Sequence, residues 1–502
     1  MKHWNWKRLL SMMVALSVAL ITTSGVAADP YQEEVDKGPK TVTLVLVGDA
    51  GLEQDMVFDE INKLLIEDIN TTVNVKNIDW ADYDAKYRLM FQAGEDFDCT
   101  FGATWLDYAG LANRGALLEI TKEMQQNYCP NLMPTIIAQA DYLRGMFVNG
   151  KNYALQGESP IYRAGAVYAV RGDLMEKYGI EQITNLDELF DYFLAIAQNE
   201  SDMTAISGGD CTSWMLEGFL VANSLFWLGD RSSGVVISIG GDKWESLYTQ
   251  DCFIDYAKKL KDLNEAGVFA RGILSDQAGM GDYFRSGQSA LFSNQIESTT
   301  ATCQALNAEH PDWNVKVVDV TWGSKKISTV APNMAWVINI RAREPERALM
   351  VLDKLIAQKE YYDLFAYGIE DVHVTYYGDL EYLRTERGAA NYNQIPWTGG
   401  IDAVKRFEYG VPAEYYEMYA RWTSESVDIP TINFVFDDTN VSNELAACNN
   451  IRGSYMSMLL TGNTPGSVED TLDEMNRKLD AAGWNEVIAE AQAQYDAFLA
   501  GF

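Results

Sequence analysis

Histidine is almost missing from this chain of 502 residues: there are three, and with His3 in a leader-like segment only His310 and His373 remain. A tri-histidine zinc centre is excluded, and no His-Glu-x-x-His sequence occurs. Cysteine is sparse and scattered. Cys99, Cys129, Cys211, Cys252, Cys303 and Cys448 form no Cys-x-x-Cys pair and have no histidine close by, so neither a metal nor a redox motif is expected. Disulfides and buried free thiols both stay open. Positive charge is short as well: 39 Lys+Arg face 72 Asp+Glu, a formal net charge of -33. That balance opposes the phosphate neutralisation of nucleic-acid binding and offers no basic patch to anionic lipid.

The motifs of common enzyme classes are absent too. There is no Gly-x-Ser-x-Gly elbow and no P-loop, and Gly48-Asp49-Ala50-Gly51 lacks the spacing of a dinucleotide fingerprint. Asp79-x-x-Asp82-x-Asp84 is too irregular for a calcium loop and reads as a solvated helix start. No cofactor is expected. A glycosidase needs only two carboxylates ~5 to 9.5 Å apart, and among so many acids no pair is marked out.

The one long apolar run is N-terminal. Lys2, Lys7 and Arg8 precede Leu9–Ile21, and the small residues Val26-Ala27-Ala28 follow. This is the pattern of a secretory signal over residues 1–28, and the 13-residue run falls short of the ~20 residues that span a bilayer. Export is therefore expected. The first cysteine is Cys99, so no lipidated N-terminal cysteine is expected either.

What remains is an ample globular chain, 47% hydrophobic and 12% aromatic, with enough apolar side chain for several cores. Thr41–Val47 predicts a strand, and Val57, Ile61, Leu64 and Leu65 predict the helix after it. Thr72–Ile78, Tyr83–Gln92 and Phe97–Phe101 extend this to βαβαβ, which implies a parallel sheet. A second series opens with the strand Ala166–Val170 and a helix over Arg171–Tyr178, followed by a capping box at Thr184-Asn185-Leu186-Asp187. Helices are also predicted at Ile254–Ala266, Glu344–Ala357 and Ser467–Ala481, the last continuing through Val487, Ile488, Ala491 and Tyr495. Two α/β lobes, crossed more than once, fit this alternation better than one large sheet.

Several segments, taken in order, resemble a known family. They are Gly94-Glu95-Asp96-Phe97-Asp98, Asn113-Arg114-Gly115-Ala116-Leu117-Leu118, Tyr153-Ala154-Leu155 and Arg171-Gly172-Asp173-Leu174. Phe284-Arg285-Ser286-Gly287-Gln288-Ser289-Ala290-Leu291 and Glu344-Pro345-Glu346-Arg347-Ala348 follow. Together they look like the family 1 extracellular solute-binding proteins, receptors of ATP-driven carbohydrate importers. Tyr361–Glu370, Phe434-Val435-Phe436-Asp437 and Asn476–Gly483 resemble its lipoprotein LipO branch, which has a C-terminal extension of its own. Members of that branch usually carry a lipid-anchored cysteine, and this sequence departs from them there.

The resemblance implies an α/β, two-lobed, periplasmic-binding-protein-like (type II) fold with a ligand cleft between the lobes and a helical C-terminal extension. The expected division is residues 29–157 and 327–400 in one lobe, and 158–326 and 401–502 in the other. It further implies a carbohydrate ligand, an oligosaccharide that can include uronate, and an ABC importer permease as partner; a monomer is expected. Sugar rings stack on Trp and Tyr, while their hydroxyls need carboxylate, amide or guanidinium partners. Eleven Trp follow residue 28, and any one of them can equally be core.

Position selects the candidates. Asp49 and Trp105 follow the first and third strands, at the edge where α/β proteins bind ligands, with a helix cap and core packing as their alternatives. Glu158, Tyr162 and Arg163 lie near the first implied lobe crossing, with a surface turn as the alternative for Glu158 and Tyr162, and Arg163 as the partner of a uronate. Trp214 opens a second-lobe helix. Asn294 and Glu297 come after the Phe284–Leu291 motif, which in the family precedes a ligand-side loop; Glu297 stands where relatives often have a stacking Trp. Trp397 lies in a glycine-rich loop. The competing readings are an extracellular lyase or glycosidase, and a cell-surface sensor or adhesion module without a permease.

Overall fold

The computed structural model describes residues 29–80, 82–157, 167–229, 233–276, 278–328, 331–392, 399–411, 413–427 and 429–501. After a short helix α1 (Pro30–Asp36), strand β1 (Lys40–Val47) leads through α2 (Gln54–Ile69) to β2 (Thr71–Ile78). α3 (Tyr83–Ala93) and β3 (Cys99–Gly102) complete the unit. The predicted βαβαβ is present and parallel: β1 pairs with β2 from Lys40↔Thr71 to Val47↔Ile78, and with β3 through Leu44↔Cys99 and Val45↔Thr100. Val42, Leu44, Val45 and Leu46 are all buried, the near-continuous apolar run of a strand covered on both faces. α2 buries Val57, Phe58, Ile61, Leu65 and Ile69, one stripe at three- and four-residue spacing, and stops where Asn70 turns left-handed at φ +51°.

The first sheet is finished by distant chain. β4 (Ala154–Leu155) lies at its edge, after which β5 (Val167–Val170) begins the second lobe. There α4 (Leu186–Asn199), α5 (Cys211–Ala222) and α6 (Asp251–Glu265) pack against β5 and its antiparallel neighbours β6 (Leu291–Asn294) and β7 (Lys316–Val318). α7 (Ile296–Glu309) joins those two neighbours. The chain then returns as β8 (Ala335–Ile338), antiparallel between β3 and β4, giving the order β2-β1-β3-β8-β4. α8 (Pro345–Ala357) buries its apolar face in the same core.

α9 (Lys359–Tyr367) opens a small third unit, in which strands β9 (Val374–Tyr377), β10 (Glu381–Arg384) and β11 (Phe407–Glu408) form one sheet. Its core gathers Tyr362, Ala366, Tyr367, Val374, Tyr382 and Val404. α10 (Ala413–Ser424) then crosses back, and its Trp422 packs on Val167 and Ile296. Finally α11 (Ser442–Leu460), α12 (Val468–Ala481) and α13 (Trp484–Gly501) add to the second core, with Val468, Leu472, Met475 and Leu479 buried as the periodicity predicts.

One local expectation shifts by a residue. The cap of α4 is Asn185, whose side chain accepts from the Glu188 N–H, while the Glu188 carboxylate reaches back to the Thr184 N–H at 2.6 Å. The Glu188 carboxylate thus takes the N–H of the residue before the cap instead of the cap's own, a shifted form of the capping box.

Candidate functional site

The carboxyl ends of the parallel strands of the first sheet carry one aromatic cluster. Asp49 follows β1 and accepts a hydrogen bond from the Trp80 N–H, which follows β2, at 3.2 Å. Trp105 follows β3 within the short turn Thr104–Leu106. The Trp80 ring lies 6.2 Å from Trp105 and 5.4 Å from Tyr83, and Tyr83 lies 5.7 Å from Trp105. All three rings are half-buried. Asp49 does not cap α2, since Glu53 occupies that position. Trp80 was not singled out from the sequence, although its place directly after a strand is the same signal that selected Asp49 and Trp105.

The second lobe has an edge of its own at the start of β5. Asn294 pairs with Val167 and Val318 with Tyr168, so the carboxyl ends of β6 and β7 stand at the start of β5, where chain arrives from the first core. The Asn294 amide oxygen accepts from the Gln295 N–H at 2.7 Å. Glu297 is exposed and takes the Tyr419 hydroxyl at 2.5 Å. Just past β7 the buried Asp319 accepts from Thr321, from the Trp422 indole at 2.8 Å and from Arg421 at 2.6 Å. Arg421 is thereby held 4.2 Å above the ring of Trp322, a tryptophan 56% exposed. Trp214 is half-buried on α5, and its carbonyl accepts from the Tyr168 hydroxyl at 3.5 Å. Glu158, Tyr162, Arg163 and Trp397 lie outside the described residues.

Between the two cores is a cavity of about 640 Å³. Thr104, Asp107 and Tyr108 line it from the first lobe, Ser213, Trp227 and Trp244 from the second, and Phe434, Asp438 and Arg452 from the C-terminal region. Arg452 is fixed there by its hydrogen bonds to Tyr248 (2.8 Å) and Asn449 (2.5 Å). The Trp244 indole N–H, in the wall of the cavity, is buried without a partner, and burial raises the Asp438 carboxyl above its ordinary value. None of the described candidates from the sequence lines this space; Trp105 and Trp214 each adjoin a residue that does, Thr104 and Ser213. The C-terminal share of the wall went unforeseen because it comes from residues more than two hundred positions beyond α5.

Among the described residues no group of three or more His, Cys, Asp and Glu is placed to hold a metal ion, and no helix is long and apolar enough to cross a membrane. Two α/β cores threaded by repeated crossings, with the β2-β1-β3-β8-β4 order and a helical C-terminal region, define a two-lobed type II solute-binding fold. The chain belongs to the family described as bacterial extracellular solute-binding protein, whose model matches residues 58–369. Residues 430–500 match a domain of unknown function (DUF3502).

A carbohydrate ABC transporter substrate-binding protein of Streptococcus pneumoniae is 22% identical over 99% of both chains. The crystal structure of the N-glycan transport solute binding protein NgtS from Streptococcus pneumoniae has a TM-score of 0.76 at 20% identity, over 92% of this chain and 99% of that one. The same protein in complex with Man5GlcNAc gives 0.71 at 19% identity over the same shares. At these identities the structural likeness is one of fold.

Proposed function

We propose that the protein is an exported receptor that captures an oligosaccharide between its lobes and hands it, chemically unchanged, to an ABC importer. The observation that carries this reading is the half-buried Trp80–Tyr83–Trp105 cluster at the carboxyl edge of the first sheet, with Trp105 next to Thr104 in the wall of the cavity between the two cores. Aromatic faces take the apolar faces of sugar rings, and the nearby carboxylates and amides take their hydroxyls. The names of the carbohydrate-binding relatives agree with it.

In this reading residues 1–28 are a signal that is removed, residues 29–157 with 327–400 form one lobe, and 158–326 with 401–502 form the other. Ligand raises the population of the closed arrangement, which a permease recognises, and ATP on the importer supplies the energy. Asp49, Asn294 and Glu297 hold hydroxyls; Trp105 and Trp214 stack. Glu158, Tyr162, Arg163 and Trp397 complete the site, Arg163 as the partner of any uronate unit; Arg163→Ala that leaves binding of every acidic oligosaccharide unchanged would remove that role.

The test is a thermal-shift panel on residues 29–502 with neutral and uronate oligosaccharides, amino acids and short peptides, followed by analysis of the recovered ligand. A rise in Tm with an oligosaccharide recovered intact supports capture for transport. Cleaved sugar would make the protein an enzyme, and a response to peptides alone would overturn the carbohydrate assignment.

A further inference from the structure

The third sheet has one face in its core and one in water. Across β9, β10 and β11 the row Tyr376, Tyr382 and Glu408 lies on the covered face, and the adjacent row Tyr377, Glu381 and Phe407 on the other. Two residues on from Phe407, Tyr409 shares the outer face and stacks on Tyr377 with ring centroids 3.9 Å apart. Tyr416 of α10 meets Phe407 edge-on at 5.9 Å. Tyr377, Phe407, Tyr409 and Tyr416 are all exposed, an aromatic surface of a kind that marks a binding site.

This surface is continuous with the proposed interlobe site. From Tyr416 the rings continue through Tyr415 to Tyr419, in steps of 5.3 and 5.0 Å, and the Tyr419 hydroxyl bonds Glu297. It also bridges the third unit and the second lobe: β11 pairs with β10 of the third unit, while the turn after Tyr409 is tied to α7 of the second lobe by the Gln304 amide donating to the Gly410 carbonyl at 2.6 Å. The charge around it is acidic. Asp379, Glu381 and Glu417 flank the rings against Lys359, which donates to the Asp379 carbonyl at 3.3 Å, and the nearby Arg406 is occupied by Asp363 at 2.8 Å and by the Tyr376 ring at 3.8 Å. Rings to stack on and a carboxylate between two of them, with the guanidinium of Arg406 already held, suit neutral sugars.

Resting on the function proposed above, we propose that Tyr377, Phe407, Tyr409 and Tyr416, with Glu381 between them, form an outer carbohydrate-contacting surface that takes the distal, neutral units of a long oligosaccharide whose other end lies between the lobes. Glu381 accepts hydroxyl hydrogen bonds there.

The test uses the whole chain on an array of immobilised neutral oligosaccharides graded from disaccharides upward, comparing wild type with Phe407→Ala/Tyr409→Ala, Glu381→Gln and Trp105→Ala. The expected result is about tenfold weaker capture of the longer members by the first two variants, unchanged capture of disaccharides, and loss at every length for Trp105→Ala. Glu381→Gln keeps its side-chain volume and decides the matter if the double variant loses its fold. Undiminished capture of long members, or equal loss at all lengths, by the Phe407→Ala/Tyr409→Ala and Glu381→Gln variants overturns the outer surface and leaves the interlobe site standing. Wild type that captures no oligosaccharide of any length overturns the proposed function and this inference with it.

Discussion

The His373 ring Nε2 donates to the Glu53 carboxylate at 2.9 Å, joining residues 320 positions apart. His373 is fully buried, and its Nδ1 accepts from the Ile369 N–H at 3.0 Å, so the ring proton sits on Nε2. Arg387 grips the same carboxylate through Nε (2.9 Å) and Nη2 (2.8 Å). A Cβ on the neighbouring Gly388 would come within 1.8 Å of the His373 carbonyl oxygen, so only glycine fits. The clasp fastens the third unit to the start of α2, beside the edge that carries Asp49, Trp80 and Trp105.

This clasp predicts an acid-sensitive contribution to stability. Hydrogen bonds from Arg387 first, and from His373 second, hold the Glu53 carboxyl down at about 2. A carboxyl depressed in the folded state stabilises above its unfolded pKa and loses that stabilisation as pH falls toward the folded one. Between pH ~4.5 and ~2 the wild-type Tm should fall more steeply than that of Glu53→Gln. Parallel Tm curves over that window would contradict the clasp.

Arg347 predicts a large single-site loss. It is fully buried on α8, donating to the Ile69 carbonyl at 2.6 Å, to the Thr71 hydroxyl at 2.7 Å and to the Glu34 carbonyl, and it approaches the Glu34 carboxylate at 3.4 Å. Arg347→Met removes those donors and leaves buried carbonyls of Ile69 and Glu34 without them, while the Glu34 carboxylate keeps Lys37, at a cost of about 3 kcal/mol. Urea unfolding should show the midpoint drop with the slope unchanged, whereas a loss below about 1 kcal/mol would mean Arg347 is not the tie between α1 and the first sheet.

All six cysteines are free thiols, and five of them are buried. Burial raises their pKa values, that of Cys303 to about 12, so they are poor nucleophiles in the folded protein. Alkylation of the native protein should modify Cys252 first, and alkylation in denaturant without reductant should modify all six. Any pair protected until reductant is added would contradict the free-thiol assignment.

Elements defined by local periodicity were legible in the sequence. β1, β2, α3, β3 and α12 fall within a residue or two of their predicted limits, and α2 carries the predicted stripe, because the spacing of Val57 to Leu65 or Val468 to Leu479 needs only neighbouring residues. Elements defined by distant partners were not. β8 finishes a sheet begun almost three hundred residues earlier, and β11 pairs with β10 across a turn-rich stretch without an alternating pattern. The same divide runs through the candidate site: Asp49 and Trp105 could be placed by the strands before them, whereas the Phe434–Arg452 wall of the cavity and the His373–Glu53 contact depend on tertiary packing.

Capture of an oligosaccharide on the Trp80–Trp105 rings is tested by calorimetric titration of the oligosaccharide found by the thermal-shift panel into wild type, Trp80→Ala and Trp105→Ala, with mass spectrometry of the sugar afterwards. Stoichiometric binding by wild type, a loss of about 1–3 kcal/mol in each variant from the missing ring, and sugar recovered intact are expected. Undiminished affinity in both variants would place the ligand elsewhere, and shortened sugar would show that the protein turns its ligand over.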